Sequence, residues 1–206
     1  MFASSRDTGR IPVIAVLGMP GSGKTYFLNH LLRSPGLANS IVLTASADAR
    51  ECHDNDRVQR LPSLGQPTED GCLCCGMRSG LGDALRDLFL RALSKKIPPV
   101  ARVVIEADTI DPGPLKFTLK HAPFLGQRYV FQFVFLMLDV SNLSPDVLKL
   151  QGLGIEDADY VVFSRADKVT EEHLRAAELA VKQLNPKAKL VVSVDKLEAL
   201  LANTLH

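Results

Sequence analysis

The clearest chemistry in the chain lies in one stretch, Gly18-Met-Pro-Gly21-Ser22-Gly23-Lys24-Thr25, which fits Gly-x-x-x-x-Gly-Lys-Thr. Gly18, Gly21 and Gly23 permit backbone conformations closed to residues with a Cβ, so successive N–H groups can turn inward around a polyphosphate. Lys24 would set a mobile positive charge on the β- and γ-phosphates, and the Thr25 hydroxyl suits a Mg²⁺ ligand. The apolar run Val13–Leu17 precedes this loop and Tyr26-Phe-Leu-Asn-His-Leu-Leu follows it, reading as strand and helix. Ser22 and Tyr26 join the glycines, Lys24 and Thr25 as expected nucleotide-binding positions.

A second group is Gly71-Cys72-Leu73-Cys74-Cys75-Gly76. Three thiols within four residues can converge on one borderline cation such as Zn²⁺, which favours thiolates in a tetrahedral arrangement. All four cysteines fall between positions 52 and 75, a clustering that points to metal or redox chemistry rather than a disulfide framework. Cys52 or His53 is chemically suited to complete a tetrahedral site. The other reading of that pair, with Asp48, Glu51 and Asp54 beside it, is a solvated loop. His30, His121 and His173 read as structural.

Two further elements could face a nucleotide. Val103-Val-Ile-Glu106 is an apolar strand ending in an acid, the form in which a carboxylate holds Mg²⁺ or its water opposite a phosphate loop. Asp108, just beyond it, reads as either a further Mg²⁺-side carboxylate or an exposed turn acid. Tyr160-Val-Val-Phe163 leads to Ser164-Arg165-Ala166-Asp167-Lys168, at the place where guanine-specific proteins carry Asn-Lys-x-Asp. Asp167 can accept from guanine N1–H and the exocyclic amine, and Arg165 can lie against the base.

The elements that must position these residues alternate. Strand-like runs sit near Pro12–Leu17, Ile41–Thr44, Val103–Glu106, Phe131–Asp139, Asp159–Phe163 and Leu190–Val194. Helical patterns sit near Lys24–Arg33, Gly80–Leu93, Gly113–His121, Pro145–Leu150, Glu171–Leu184 and Leu197–Leu205. Ser144-Pro145 supplies an N-cap with proline at the first helical position, and Asn185-Pro186 stops a long helix. The order predicts an α/β fold of the P-loop NTPase class, a doubly wound, mostly parallel sheet with helices on both faces. Ser46 to Gly71 is the one irregular segment.

The 206 residues, 46% hydrophobic and 23% charged, suffice for one domain with a substantial core. We expect an N-terminal tail over 1–10 and a single domain over 11–206, with a metal-binding insertion at about 46–78. A net charge of +1 gives no global bias toward nucleic acid or membrane. Met1 to Arg10 lacks a signal-peptide core, and Phe131–Leu138, the longest apolar run, is too short to span a bilayer. The expectation is a cytoplasmic protein.

A phosphate loop followed by Gly-Cys-x-Cys-Cys at the head of a Leu/Asp/Arg helix resembles the CobW-type metallochaperone GTPases, relatives of the urease and hydrogenase maturation GTPases. The resemblance runs from Val13 to about Val194. It implies that Cys72, Cys74 and Cys75 bind the transported metal, with Cys74 and Cys75, or Cys72 and Cys74, as the essential pair. Lys24 and Glu106 take the catalytic roles, with Thr25 and Glu106 on Mg²⁺. It also implies GTP and Mg²⁺ as cofactors, Zn²⁺ (or Co²⁺ or Ni²⁺) as cargo, a client metalloprotein, and delivery through that partner or a homodimer.

The chain departs from the family pattern in four places. Ala45 to Asp54 replaces an Asn-Glu-Phe-Gly-like switch. Thr109 stands where a glycine senses the γ-phosphate, Ser164 stands for Asn, and we expect no C-terminal domain of the kind many CobW-type proteins carry. Because threonine is stiffer than glycine and dislikes positive φ, slow hydrolysis is expected. The alternatives are a nucleotide-dependent metal sensor with little turnover, an ATP-dependent small-molecule kinase and a structural zinc domain. The last would leave the phosphate loop unused.

Overall fold

The computed structural model describes residues 9–33, 37, 39–44, 57–61 and 73–192, with the backbone path alone at 60 and 73–79. The strands are β1 (Ile11–Gly18), β2 (Ser40–Thr44), β3 (Val58–Arg60), β4 (Arg102–Ala107), β5 (Tyr129–Asp139), β6 (Tyr160–Ser164) and β7 (Lys189–Val191). The helices are α1 (Lys24–Leu31), α2 (Leu73–Leu93), α3 (Gly113–His121), α4 (Pro123–Arg128), α5 (Pro145–Asp157) and α6 (Glu171–Leu184). The strands form one sheet in the order β3-β2-β4-β1-β5-β6-β7, and every pairing is parallel.

A parallel sheet must bury both faces, so its strands read as continuous apolar runs rather than alternating ones. β1 illustrates this: Val13, Ala15 and Leu17 face one core, and Ile14 and Val16 face the other. The first core takes Leu81, Leu85 and Leu88 from α2, Leu115 and Leu119 from α3, Leu125 from α4, Ile155 from α5 and Val181 from α6. The opposite core takes Phe27, Leu28 and Leu31 from α1 against Phe135, Tyr160 and Val162. Phe135 stacks on Tyr160 with ring centroids 4.6 Å apart. At about 25 cal/mol per Å² of buried apolar surface, these two layers are the main source of stability.

The expected α/β order and parallel sheet hold, with corrections in detail. The segment read as irregular contains β3, which pairs Val42 with Val58 at the sheet edge. α2 begins at Leu73, seven residues before the expected Gly80, because Gly76 and Gly80 are carried inside the helix. α4 lies in a stretch to which the sequence pattern assigns no element, and α5 continues to Asp157 rather than stopping at Leu150. The last strand begins at Lys189; the expected helix Leu197–Leu205 lies outside the described residues.

Local signals are met by specific bonds. Ser144 Oγ accepts from Val147 N–H to cap α5 ahead of Pro145, and Thr170 caps α6 through His173 N–H. Asn185, which ends α6, is buried, and its amide donates to the carbonyls of Ile155, Glu156 and Ala158 while its Oδ1 accepts from Lys187 and Ala188 N–H. One side chain thus ties the end of α5 to the turn that enters β7. Among the described residues, no helix is long and apolar enough to cross a membrane.

Candidate functional site

In an open parallel sheet, ligands bind outside the carboxyl ends of the strands where the strand order reverses. Here that point is the end of β1, between β4 and β5. Gly18 closes β1, and a Cβ built on it would lie 2.7 Å from Ser22 Oγ and 2.8 Å from Met137 O, so no side chain fits. Gly23 stands at φ 88° at the head of α1, a conformation that favours glycine. α1 has no side-chain cap and no acid in its first turn, so its N-terminal N–H groups are left to an anion. Ser22 Oγ, in a residue only 3% exposed, has no hydrogen-bond partner within the protein. Such an orphaned buried hydroxyl beside an uncapped helix end suits a phosphate.

Lys24 is 5% exposed, and its ammonium donates to Gly18 O at 3.0 Å and Met19 O at 2.8 Å. It also pairs with Asp108 Oδ1 at 2.6 Å. Glu106, at the end of β4, is 2% exposed and accepts from Thr25 Oγ1 at 3.0 Å and from Thr44 Oγ1 at 2.8 Å. The structure therefore brings Lys24, Thr25 and Glu106 together as expected. It adds Thr44, which in the sequence is marked only as the end of an apolar strand.

Burial raises the Glu106 carboxyl above its ordinary value of 4.5, with the hydrogen bonds from Thr44 and Thr25 and the charge of Lys24 pulling it back. The folded chain thus holds this proton more tightly than the unfolded chain. The associated stability is complete below the ordinary value and is lost as pH rises through the raised one. Glu106→Gln removes the titration. Urea midpoints measured in steps from about pH 4.5 upward should fall in the wild type relative to the variant.

The loop after β4 is held on two sides. Gly18 N–H donates to Thr109 O at 2.8 Å, and a Cβ on Gly154 of α5 would lie 2.5 Å from Ile110 O. Asp111 then accepts from Gly113 N–H at 2.7 Å to start α3.

On the base side, Arg165 follows β6 at φ 55°, and its guanidinium donates to Gly21 O at 3.0 Å and pairs with Asp139 at the end of β5. Asp139 also accepts from Ser141 N–H and Oγ and from Asn142 Nδ2. Burial would raise its carboxyl, but these bonds and Arg165 outweigh burial and hold it below the ordinary range. Asp139 therefore fixes the arginine that touches the phosphate loop. Asp167 lies exposed in the helical turn Ala166–Lys168, and Tyr26 is exposed on α1.

Cys52, His53 and Cys72 lie outside the described residues, and Cys74 and Cys75 are described as backbone in the first turn of α2. Among the described residues no three His, Cys, Asp or Glu side chains gather as a metal site. His30 and His121 lie on α1 and α3, and His173 bonds Val140 O at 3.0 Å, a structural contact as expected. A cavity of about 710 Å³ between the starts of β2 and β3 and the end of α2 includes Arg57, Arg91 and Lys96; it lies at the opposite end of the strands from Lys24.

The model of the CobW/HypB/UreG nucleotide-binding domain matches residues 12–192. The zinc chaperone YjiA of Escherichia coli (strain K12) is 32% identical over 184 residues, covering 86% of this chain and 56% of the relative. Its Zn(II)-bound crystal structure superposes with a TM-score of 0.63 at 20% identity, over 89% of this chain and 57% of that one. A zinc-regulated GTPase metalloprotein activator of Dictyostelium discoideum is 24% identical over 95% of this chain and 48% of its own length. The hydrogenase maturation factor HypB of Archaeoglobus fulgidus shares the fold at a TM-score of 0.61 and 18% identity, over 98% of this chain and 94% of that one. The chain spans about half the length of the curated relatives it matches.

Proposed function

The chain belongs to the CobW/HypB/UreG nucleotide-binding family, and from that premise we propose that it is a GTP-binding metallochaperone that couples nucleotide state to capture and delivery of a divalent transition metal. The observation that carries this reading is the joint placement of Lys24, Thr25 and Glu106 at an uncapped helix N-terminus. Gly18, Gly21, Ser22 and Gly23 shape the cradle. Lys24 neutralises the β- and γ-phosphates, and Thr25 with Glu106 holds Mg²⁺. When bound, that ion neutralises charge on the transferring phosphoryl group. Asp167 selects guanine over adenine. Arg165 presents its aliphatic stem to the base while its guanidinium stays with Asp139 and Gly21 O.

The cargo, with Zn²⁺ as the first choice, sits on Cys72, Cys74 and Cys75, with Cys52 or His53 as a fourth ligand. The similarity to a zinc chaperone and to a zinc-regulated activator supports that choice. Metal passes to a client metalloprotein, directly or from a homodimer. Hydrolysis is slow: Thr109 replaces the sensing glycine, and its carbonyl is already bonded to Gly18 N–H. The same bond favours the second reading, a nucleotide-dependent metal sensor with little turnover.

The test is Zn²⁺ affinity by competition with a chromogenic chelator, for wild type and Cys74→Ser, each with GDP and with a non-hydrolysable GTP analogue. The chaperone reading expects tight wild-type binding that shifts with nucleotide and is lost in Cys74→Ser. Binding that is weak, or indifferent to nucleotide, would assign the cysteines another purpose.

A further inference from the structure

Two carboxylates and one ammonium meet at the end of β4. Glu106 is committed to Thr25 and Thr44, whereas Asp108 is 43% exposed and touches Lys24 at 2.6 Å. The same ammonium is the group that the nucleotide reading assigns to the phosphates. We propose that Asp108 is an internal competitor for the phosphate subsite, setting the negative charge a ligand must bring before it can claim Lys24. This inference rests on the nucleotide reading and deepens it.

The argument is one of charge and reach. Lys24 donates to two carbonyls that lie within its own loop, Gly18 O and Met19 O, which orient it but carry no net charge. Asp108 supplies the balancing charge. A ligand with a single negative charge gains no more from Lys24 than Asp108 does, whereas a di- or triphosphate brings more charge and more acceptors. The site therefore favours polyphosphates over carboxylates and nucleosides.

The exchange is local. Thr109, next in sequence, is fixed through its carbonyl to Gly18 N–H, and Ile110 is fixed against Gly154. A turn of the Asp108 side chain into solvent is enough to release Lys24, with no shift of the loop required. Expelled in this way, Asp108 restores its claim on Lys24 as the phosphates leave, which speeds product release. The loop geometry holds Asp108 within reach throughout.

The experiment is fluorescence titration of the full chain with a labelled GDP, in EDTA and in Mg²⁺, with displacement by pyrophosphate and by guanosine. Asp108→Asn should bind GDP and pyrophosphate about fivefold more tightly in EDTA, the upper range for a half-exposed ion pair. Guanosine should not gain. Asp108→Ser should show the same gain, and Asp108→Glu, which keeps the charge, should stay near wild type.

Unchanged affinity in both neutral variants overturns the proposal. So does a loss confined to Mg²⁺, which would make Asp108 a metal-side ligand. Wild type and variants alike failing to bind GDP would sink the nucleotide reading and this inference with it, a result distinct from a wild type that binds and neutral variants that bind no better.

Discussion

Lys24→Ala should weaken GDP and GTP binding by about thirtyfold or more, taking it below what the titration detects. Loss of one partner from a buried charged contact costs about 2–5 kcal/mol, and each 1.4 kcal/mol is about tenfold in affinity. The side chain is 5% exposed and is the charged group held between the Gly18 and Met19 carbonyls, so water cannot replace it. The fold should survive. The partner left behind, Asp108, is half exposed and can turn to solvent, so a thermal melt should move little while labelled-GDP titration loses its signal change. Lys24→Arg should not rescue binding, because a planar five-donor fork does not fit a site shaped around a point charge.

Gly154→Val should destabilise the fold by about 1–3 kcal/mol, as overpacking of a tight contact does. It should also weaken nucleotide binding by about tenfold, or 1.4 kcal/mol. The two effects share one cause. A Cβ at this position meets Ile110 O at 2.5 Å and Ile110 Cβ at 3.1 Å, so α5 or the loop must move. Moving the loop pulls Thr109 O away from Gly18 N–H. Gly152, two residues earlier on the same helix, has nothing within 4 Å of a built Cβ. Gly152→Ala should therefore stabilise by about 0.5–1 kcal/mol through helix propensity and leave binding unchanged. Urea unfolding and GDP titration on the pair separate packing from propensity. Two equal losses would refute the contact argument.

These two glycines show why the sequence was legible in some places and opaque in others. A phosphate loop is written in consecutive residues, and so are the apolar strand before Glu106 and the Ser-Pro start of α5; each could be read from its own neighbours. The helical pattern of α5 fades at Leu150 because Gly152 and Gly154 are poor helix formers. Gly154 instead serves a contact with Ile110, far away in sequence. The start of α2 is obscured in the same way, since Gly76 and Gly80 resemble breakers but are carried inside a helix that packs Leu81, Leu85 and Leu88 on the sheet. β3 offers one apolar residue in three and exists because Val42 and its neighbours provide an edge to pair with.

Side-chain partnerships across the sheet were the least legible. Thr44 and Glu106 meet because β2 and β4 are adjacent and in register at that pair. Arg165 and Asp139 meet because β5 and β6 end together, with Asp139 opposite Ser164. Once strand order is known, both follow from register; before that, an isolated Thr or Asp at a strand end carries no sign of its partner.

The strand order also says when, during synthesis, the phosphate loop comes into being. β1 is flanked by β4 and β5, with Val13 beside Val103 and Ile11 beside Tyr129. The ribosome releases the loop early, but its cradle is closed by Met137, Asp139 and Arg165, which follow on the order of ten seconds later at typical elongation rates. Until β4 is made the apolar residues of β1 have neither neighbour strand, and until β5 is made they have only one. Long-range parallel pairing of this kind is intrinsically slow and leaves hydrophobic surface exposed to misassembly. Nucleotide affinity is therefore acquired late and all at once, and a ribosome-stalled chain shorter than β5 should have none.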